Sequence, residues 1–344
     1  MTYLLDPASS ELQQWLDENG QPAFRARQVW RWLASGRAES FAEMTDLPAE
    51  LRTELEAQLT VWTTTVRAHQ QSEDGTEKLL LEFSAGGQAE CVLLRDGDRR
   101  TVCISSQVGC AMGCVFCASG LDGVDRDLTA GEIIEQMVRL QHCLPVEERI
   151  SHIVMMGMGE PLANLDNVVP ALQFASDPEG LGISPRRVTI STVGLPVAIR
   201  QLADQECRYN LAVSLHAADD DLRNQLVPVN QRIGLEEIIS AADYYFESSG
   251  RRLTFEYVLL AGVNDSLSNA RQLGQLLRGR PAMINVIPYN PVAGLPYKTP
   301  SAGAVRRFRE VLEERGLNVQ QRQRKGDKIN AACGQLRRIV LSDG

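Results

Sequence analysis

The 344-residue chain has no long apolar run and no surplus of positive charge. No stretch approaches the roughly 20 consecutive apolar residues of a membrane span. The opening MTYLLDPASSELQQW has no basic segment leading into an apolar one, so no signal peptide is expected. A cytoplasmic, reducing setting is the expectation. There the 8 cysteines are read as metal ligands, catalytic groups or core residues, not as a disulfide framework. Lys and Arg number 35 against 44 Asp and Glu, a net charge of −9, which argues against a protein that coats nucleic acid non-specifically. No Gly-Lys pair occurs, which excludes a P-loop. There is no low-complexity segment and no internal repeat beyond an alternation of strands and helices.

What is present reads as a globular chain of one large domain with a small appendage. Residues 1–60 read as a small helical unit. In PAFRARQVWRWLASG the apolar stripe is Phe24, Val29, Trp30 and Leu33, with Gly36 placed to stop the helix; LPAELRTELEAQL reads as another helix. Residues 61–100 change character: VWTTTVRA, KLLLEF, AECVLL and RTVCIS are strand-like, separated by EDGTE, AGGQ and RDGDR. Asp-Gly is a strong hairpin signal, so a short antiparallel meander is expected.

From residue 101 to 344 buried-type strands alternate with helical patterns. The strands are RTVCIS, HIVMMG, RVTIST, NLAVSLH, LTFEYVLL and MINVIPY, with LNVQQRQ as a possible seventh. LTAGEIIEQMVRLQH carries a capping box, Thr129 with Glu132, ahead of an apolar stripe. The alternation implies βαβ units and a parallel sheet. Six units are too few for a closed eight-stranded barrel, so the fold class expected is α/β, a partial (βα)6 barrel, with reactive residues at the C-terminal strand ends.

VGCAMGCVFCASG places Cys110, Cys114 and Cys117 in a C-x3-C-x2-C spacing. A tetrahedral zinc site needs a fourth Cys or His, and zinc ribbons come as paired C-x2-C motifs; no second pair occurs. Three thiolates suit an iron–sulfur cluster with one open iron, and that iron invites a substrate or cofactor as its fourth ligand. GMGEP, residues 157–161, ends the second strand of the series. Taken singly, its glycines would mark only a turn.

The triplet after the first barrel strand, with Phe116 before its last cysteine and GMGEP after the second strand, resembles the radical S-adenosylmethionine (SAM) superfamily. Further stretches are similar to the RlmN/Cfr family of RNA methyltransferases: LTAGEIIEQ, MGMGEPLANLDNVVPAL, RRVTISTVG, SLHAADDDLRNQLVPVN, EYVLLAGVND, IPYNPVAGLPY and INAACGQLR. The resemblance runs through nearly the whole chain, including PAFRARQVWRWL.

The resemblance implies a 4Fe–4S cluster on Cys110, Cys114 and Cys117. It implies SAM contacts from Gly159, Glu160, Ser191, Ser214, Leu215, His216 and Asn290. Cys333 would carry a methyl group taken from one SAM, and a 5′-deoxyadenosyl radical from a second would activate it. Cys103 would release the product through a transient disulfide with Cys333, and Glu90 would accept the ring proton. The family's carbon-2 branch acts on adenosine 2503 of 23S rRNA and adenosine 37 of tRNAs. The carbon-8 branch, or a non-catalytic iron–sulfur or zinc RNA-binding protein, are the alternatives. An electron donor of the flavodoxin type and a monomer are expected.

In CASGLDGVDRDL this sequence departs from the family pattern, placing Asp122, Asp125 and Asp127 in a stretch expected near SAM or RNA. RNA binding would then rest on shape and on arginine clusters such as Arg25/Arg27/Arg31 and Arg186/Arg187, and on the basic run RQRKGDK. Cys91, Cys143 and Cys207 match no role and are read as core.

Overall fold

The computed structural model describes residues 4–5, 11–205, 208–322 and 325–337. Cys207 lies outside the described residues. Three helices come first: α1 (Glu11–Glu18), α2 (Phe24–Ala34) and α3 (Ala49–Gln58). Helix α2 buries Ala26, Val29, Leu33 and Ala34. Phe24, expected in that stripe, is 48% exposed. Five residues before Val29, it lies about 140° round the helix from it, outside the buried face. Trp30 is half-buried; its Nε1 donates to the Leu4 carbonyl at 2.7 Å and its ring meets Phe174 edge-on.

Strands β1 (Thr64–Gln71), β2 (Glu77–Phe83), β3 (Gln88–Asp96) and β4 (Arg99–Cys103) pair antiparallel in succession, as the Asp-Gly turns require. A short hairpin of β5 (Gln107–Gly109) and β6 (Val124–Asp127) follows and brackets the cysteine loop. Strands of three and four residues carry too little periodicity to be read from sequence.

The barrel proper then runs α4 (Ala130–His142), β7 (His152–Met155), α5 (Leu165–Ser176), β8 (Val188–Thr192), α6 (Pro196–Asp204) and β9 (Asn210–Ser214). It continues through α7 (Asp220–Leu226), α8 (Leu235–Ser249), β10 (Leu253–Leu259), α9 (Leu267–Leu276), β11 (Ala282–Pro288), α10 (Ala302–Glu313) and β12 (Asn318–Gln321).

From β4 onward every pairing in this sheet is parallel, in the order β4-β7-β8-β9-β10-β11-β12. These are the six expected strands and the seventh. Among the described residues no pairing joins β12 back to β4, so the barrel is open. The meander is continuous with it through β3 and β4, which makes one ten-stranded sheet. Strand β10 is buried along almost its whole length, as a parallel strand covered on both faces must be. The capping box on α4 forms: Glu132 N donates to Thr129 Oγ1 at 3.2 Å, and Thr129 N to Glu132 Oε2 at 2.9 Å. Helix α4 is thereby started at a fixed point behind the cysteine loop.

Candidate active site

A cleft of about 970 Å³ opens at the C-terminal ends of β7 to β11. Cys110, Cys114, Cys117, Gly159, Glu160, Ser191, Ser214, His216 and Asn290 all line it, and so does Cys333. Leu215 does not. Its side chain is buried, its amide donates to the Glu256 carbonyl at 3.0 Å, and its carbonyl accepts from Arg223 Nε at 3.0 Å.

The cysteine loop is built tightly. Cys110 N donates to the Gly123 carbonyl at 2.8 Å, and Cys117 N to the Cys114 carbonyl at 3.0 Å. Phe116 packs edge-on against the His216 ring at 4.8 Å, which fixes the loop against the end of β9. Burial pushes the Cys110 thiol up to about 12 and lifts Cys114 and Cys117 as well. A bound metal overrides such a shift, because a coordinating thiol is deprotonated outright.

The glycines of GMGEP are dictated by close approach. A Cβ on Gly157 would meet Ser105 Oγ at 2.6 Å, and one on Gly159 would meet Gln107 Cβ at 2.6 Å. Gly159 also has φ +98, which side chains rarely adopt. Glu160, next in the turn, is buried. It accepts from Val193 N at 2.8 Å and Leu162 N at 3.1 Å, yet burial still lifts its carboxyl to about 7. Asn290 donates through Nδ2 to the Cys333 carbonyl at 3.2 Å, while its buried Oδ1 has no partner. His216 sits at φ +61, a strained conformation of the kind that clusters at functional sites. Its Nδ1 accepts from Val258 N at 3.1 Å, and burial lowers its pKa to about 3, so the ring is neutral.

These features fit the two groups expected. Around one tetrahedral ion, sulfur–sulfur distances are about 3.8 Å. Among the described residues, the set of three ligand atoms lying within 4.8 Å of one another is His69, Glu77 and Cys143, and the loop cysteines are spread more widely. That spread suits thiolates on separate irons of a cluster. A buried carboxylate and an orphaned amide oxygen beside them suit the ammonium of a bound amino acid.

Cys103 lies outside the cleft, in an adjoining cavity of about 620 Å³ that Cys333 also lines. The topology thus brings together two cysteines 230 positions apart. Burial, and then the neighbouring Cys333, push the Cys103 thiol up to about 12. Glu90 is placed differently: it faces a third cavity, of about 820 Å³, lined also by Asn330, Gln335 and Arg337 from the segment that carries Cys333. Asp122, Asp125 and Asp127 do not line the cleft; all three are exposed on and beside β6, and Asp127 accepts from Gln107 Nε2 at 2.7 Å.

Three charged residues escaped the sequence reading. Arg223 is fully buried and donates to the carbonyls of Val193 (2.5 Å), Ser214 (3.0 Å) and Leu215 (3.0 Å), tying β8 to β9. Arg322 lines both the cleft and the Cys103 cavity, hydrogen-bonded to Cys333 and to Met156 Sδ. It belongs to the basic run RQRKGDK, on which RNA binding was expected to rest. Lys78 pairs with Glu90 at 2.7 Å. The one local signal for Lys78 was a charged residue opening the apolar run KLLLEF.

The family model described as the radical SAM superfamily matches residues 104–272, and that of the ribosomal RNA large subunit methyltransferase N-terminal domain matches residues 2–61. A Rhodopirellula baltica protein named as a probable dual-specificity RNA methyltransferase RlmN is 66% identical over 98% of this chain and 91% of its own. A protein of the same name from Symbiobacterium thermophilum is 45% identical over 95% of this chain and 89% of its own. The crystal structure of a radical SAM methyltransferase from Sphaerobacter thermophilus superposes with a TM-score of 0.92 at 43% identity, covering 97% of this chain and 98% of that one. The chain belongs to the radical SAM superfamily and, within it, to the RlmN/Cfr family of RNA methyltransferases.

Proposed function

We propose that the chain methylates carbon 2 of adenosine in RNA, at adenosine 2503 of 23S rRNA and adenosine 37 of tRNAs. The observation that supports this reading most is the position of Cys333. It stands between the cleft of the three loop cysteines and the cavity of Cys103. A sulfur there can take a methyl group on one side and be met by a second thiol on the other. The dual-specificity name of the relatives supports two RNA substrates.

In this reading Cys110, Cys114 and Cys117 hold a 4Fe–4S cluster, and Glu160, Ser191, Ser214, His216 and Asn290 line the seat of SAM. When bound, these groups would supply the methyl group and a radical that removes one hydrogen from it. Cys333 carries the methyl group to the adenine. Glu90 accepts the ring proton, and Cys103 releases the product by forming a disulfide with Cys333. Leu215, the remaining SAM contact in this reading, lies between Ser214 and His216 with its side chain buried and its backbone bonded to Glu256 and Arg223. The reductant would be of the flavodoxin type.

Nucleoside mass spectrometry tests the reading. Protein reconstituted anaerobically with iron, sulfide, SAM and a reductant is given 23S rRNA and tRNA lacking the modification. A 2-methyladenosine peak is the expected product. An 8-methyladenosine peak, or no methyladenosine at all, would overturn it.

A further inference from the structure

Glu90 is held from two sides. Lys78 Nζ stands 2.7 Å from Oε1, and the Arg337 amide donates to Oε2 at 2.8 Å. Strands β2 and β3 pair Lys78 with Val92 and Leu80 with Glu90. Lys78 and Glu90 are therefore diagonal neighbours on one face of the sheet, within reach of a long side chain. Their side chains are 9% and 5% exposed. A buried ion pair is weak evidence for stability, because desolvating both charges offsets their attraction. Lys78 also donates to the Asn330 carbonyl at 3.3 Å, three residues before Cys333. One ammonium thus touches both the proposed proton acceptor and the segment of the proposed methyl carrier. Lys78, Glu90 and Asn330 all line the same cavity of about 820 Å³.

We propose that Lys78 is a positioning residue for proton transfer at Glu90: it holds the carboxylate aimed into this cavity until the ring proton arrives. The proposal rests on Glu90 being the proton acceptor. The step adds no redox partner. The C–H bond at the adenine carbon breaks, its electron pair stays on the base, and an O–H bond forms on Glu90. Lys78 remains protonated throughout. The charged and titratable groups around Glu90 are Lys78 on β2, Arg337 in the C-terminal segment and the Cys91 thiol beside it on β3. Arg337 meets Glu90 through its backbone, and its guanidinium lies 4.0 Å from Asp122. Lys78 is thus the side-chain cation on the carboxylate.

The test uses the reconstituted enzyme and two readouts. Methylation of Cys333 by SAM, followed by peptide mass spectrometry, does not involve Glu90. Methyladenosine formation does. Lys78→Gln keeps a donor and removes the charge. It is expected to leave Cys333 methylation within about twofold and to lower methyladenosine formation about tenfold. Lys78→Arg, which puts a cation back beside Glu90, is expected to recover most of the lost product. A Lys78→Gln enzyme that forms methyladenosine at the wild-type rate would overturn the proposal. Should that variant not fold, Lys78→Met decides by the same two readouts: product at the wild-type rate overturns it, and product lowered about tenfold with Cys333 methylation retained supports it. Glu90→Gln is run in parallel. If it forms product at the wild-type rate, the assignment of Glu90 itself fails, whatever Lys78 does.

Discussion

The amide of Ala118, which follows Cys117, donates to the carbonyl of Gly334, which follows Cys333, at 2.8 Å. The proposed cluster loop and the proposed methyl-carrying loop are thus bonded directly to each other. Ser119 extends the contact, its hydroxyl donating to the Leu336 carbonyl at 2.7 Å. Asn290 holds the Cys333 carbonyl from the end of β11. Three donors from two elements fix one short segment against the cleft.

The Ser119 bond gives the first prediction. Ser119 is buried, so Ser119→Ala leaves the Leu336 carbonyl without this partner, at about 1–3 kcal/mol. The loss is local, since the barrel strands are untouched. Hydrogen exchange of residues 333–337 should speed up while that of β8 to β10 stays at the wild-type level. Methylation of Cys333 should slow in step. Unchanged exchange in 333–337 would show that the segment is held by the other contacts alone.

The two cysteines separate two stages. Cys333→Ala removes the proposed carrier, so neither a methylated protein nor a methylated RNA should form. Cys103→Ala removes only the proposed release step. It should keep Cys333 methylation and accumulate a covalent protein–RNA species, visible as a band of raised mass on a denaturing gel that nuclease digestion collapses. Turnover by Cys103→Ala at the wild-type rate would retire the disulfide.

The difference between what was legible in the sequence and what was not follows from the range of each interaction. RVTIST, NLAVSLH and LTFEYVLL read as strands because each is a continuous apolar run that a doubly covered parallel strand requires. The capping box on α4 is a contact three residues long, and the cysteine spacing is local chemistry. Lys78 meets a carbonyl 252 positions away, and its own neighbourhood is an ordinary strand. Arg223 sits in an acidic, helix-starting stretch where a solvated arginine would look the same. Nothing local marks either residue as buried. Phe24 failed through angle: its apolar character was read correctly, but its position lies off the buried face. Leu215 shows the limit of a motif, which names a residue without saying whether its side chain or its backbone turns toward a ligand.

Arg223 carries a stability prediction. It is fully buried, its pKa lowered by burial to about 10, and its hydrogen bonds go to three carbonyls and the Asn230 side chain. Arg223→Met fills much of the same volume and leaves those acceptors unpaired, at about 3–5 kcal/mol in sum. Chemical denaturation should show a lower midpoint. A variant as stable as the wild type would mean that water replaces the guanidinium.

His216 sets a pH dependence whose sign can be worked out. Burial lowers its folded-state pKa to about 3, against about 6.5 for an exposed histidine. Between those values the unfolded chain binds a proton that the folded chain does not. Stability from this residue is therefore complete above about pH 6.5 and is lost progressively as the pH falls. At pH 5 the loss amounts to about 2 kcal/mol, being 1.5 units at about 1.36 kcal/mol each. His216→Asn removes the titration. Asn tolerates the left-handed backbone found at this position better than most residues do. The variant should be less stable at neutral pH, having lost the ring contact with Phe116. Between pH 7 and pH 5, however, its stability should fall by about 2 kcal/mol less than that of the wild type. Equilibrium denaturation of both proteins at the two pH values makes the comparison. Equal losses would show that the buried ring is not what the falling pH acts on.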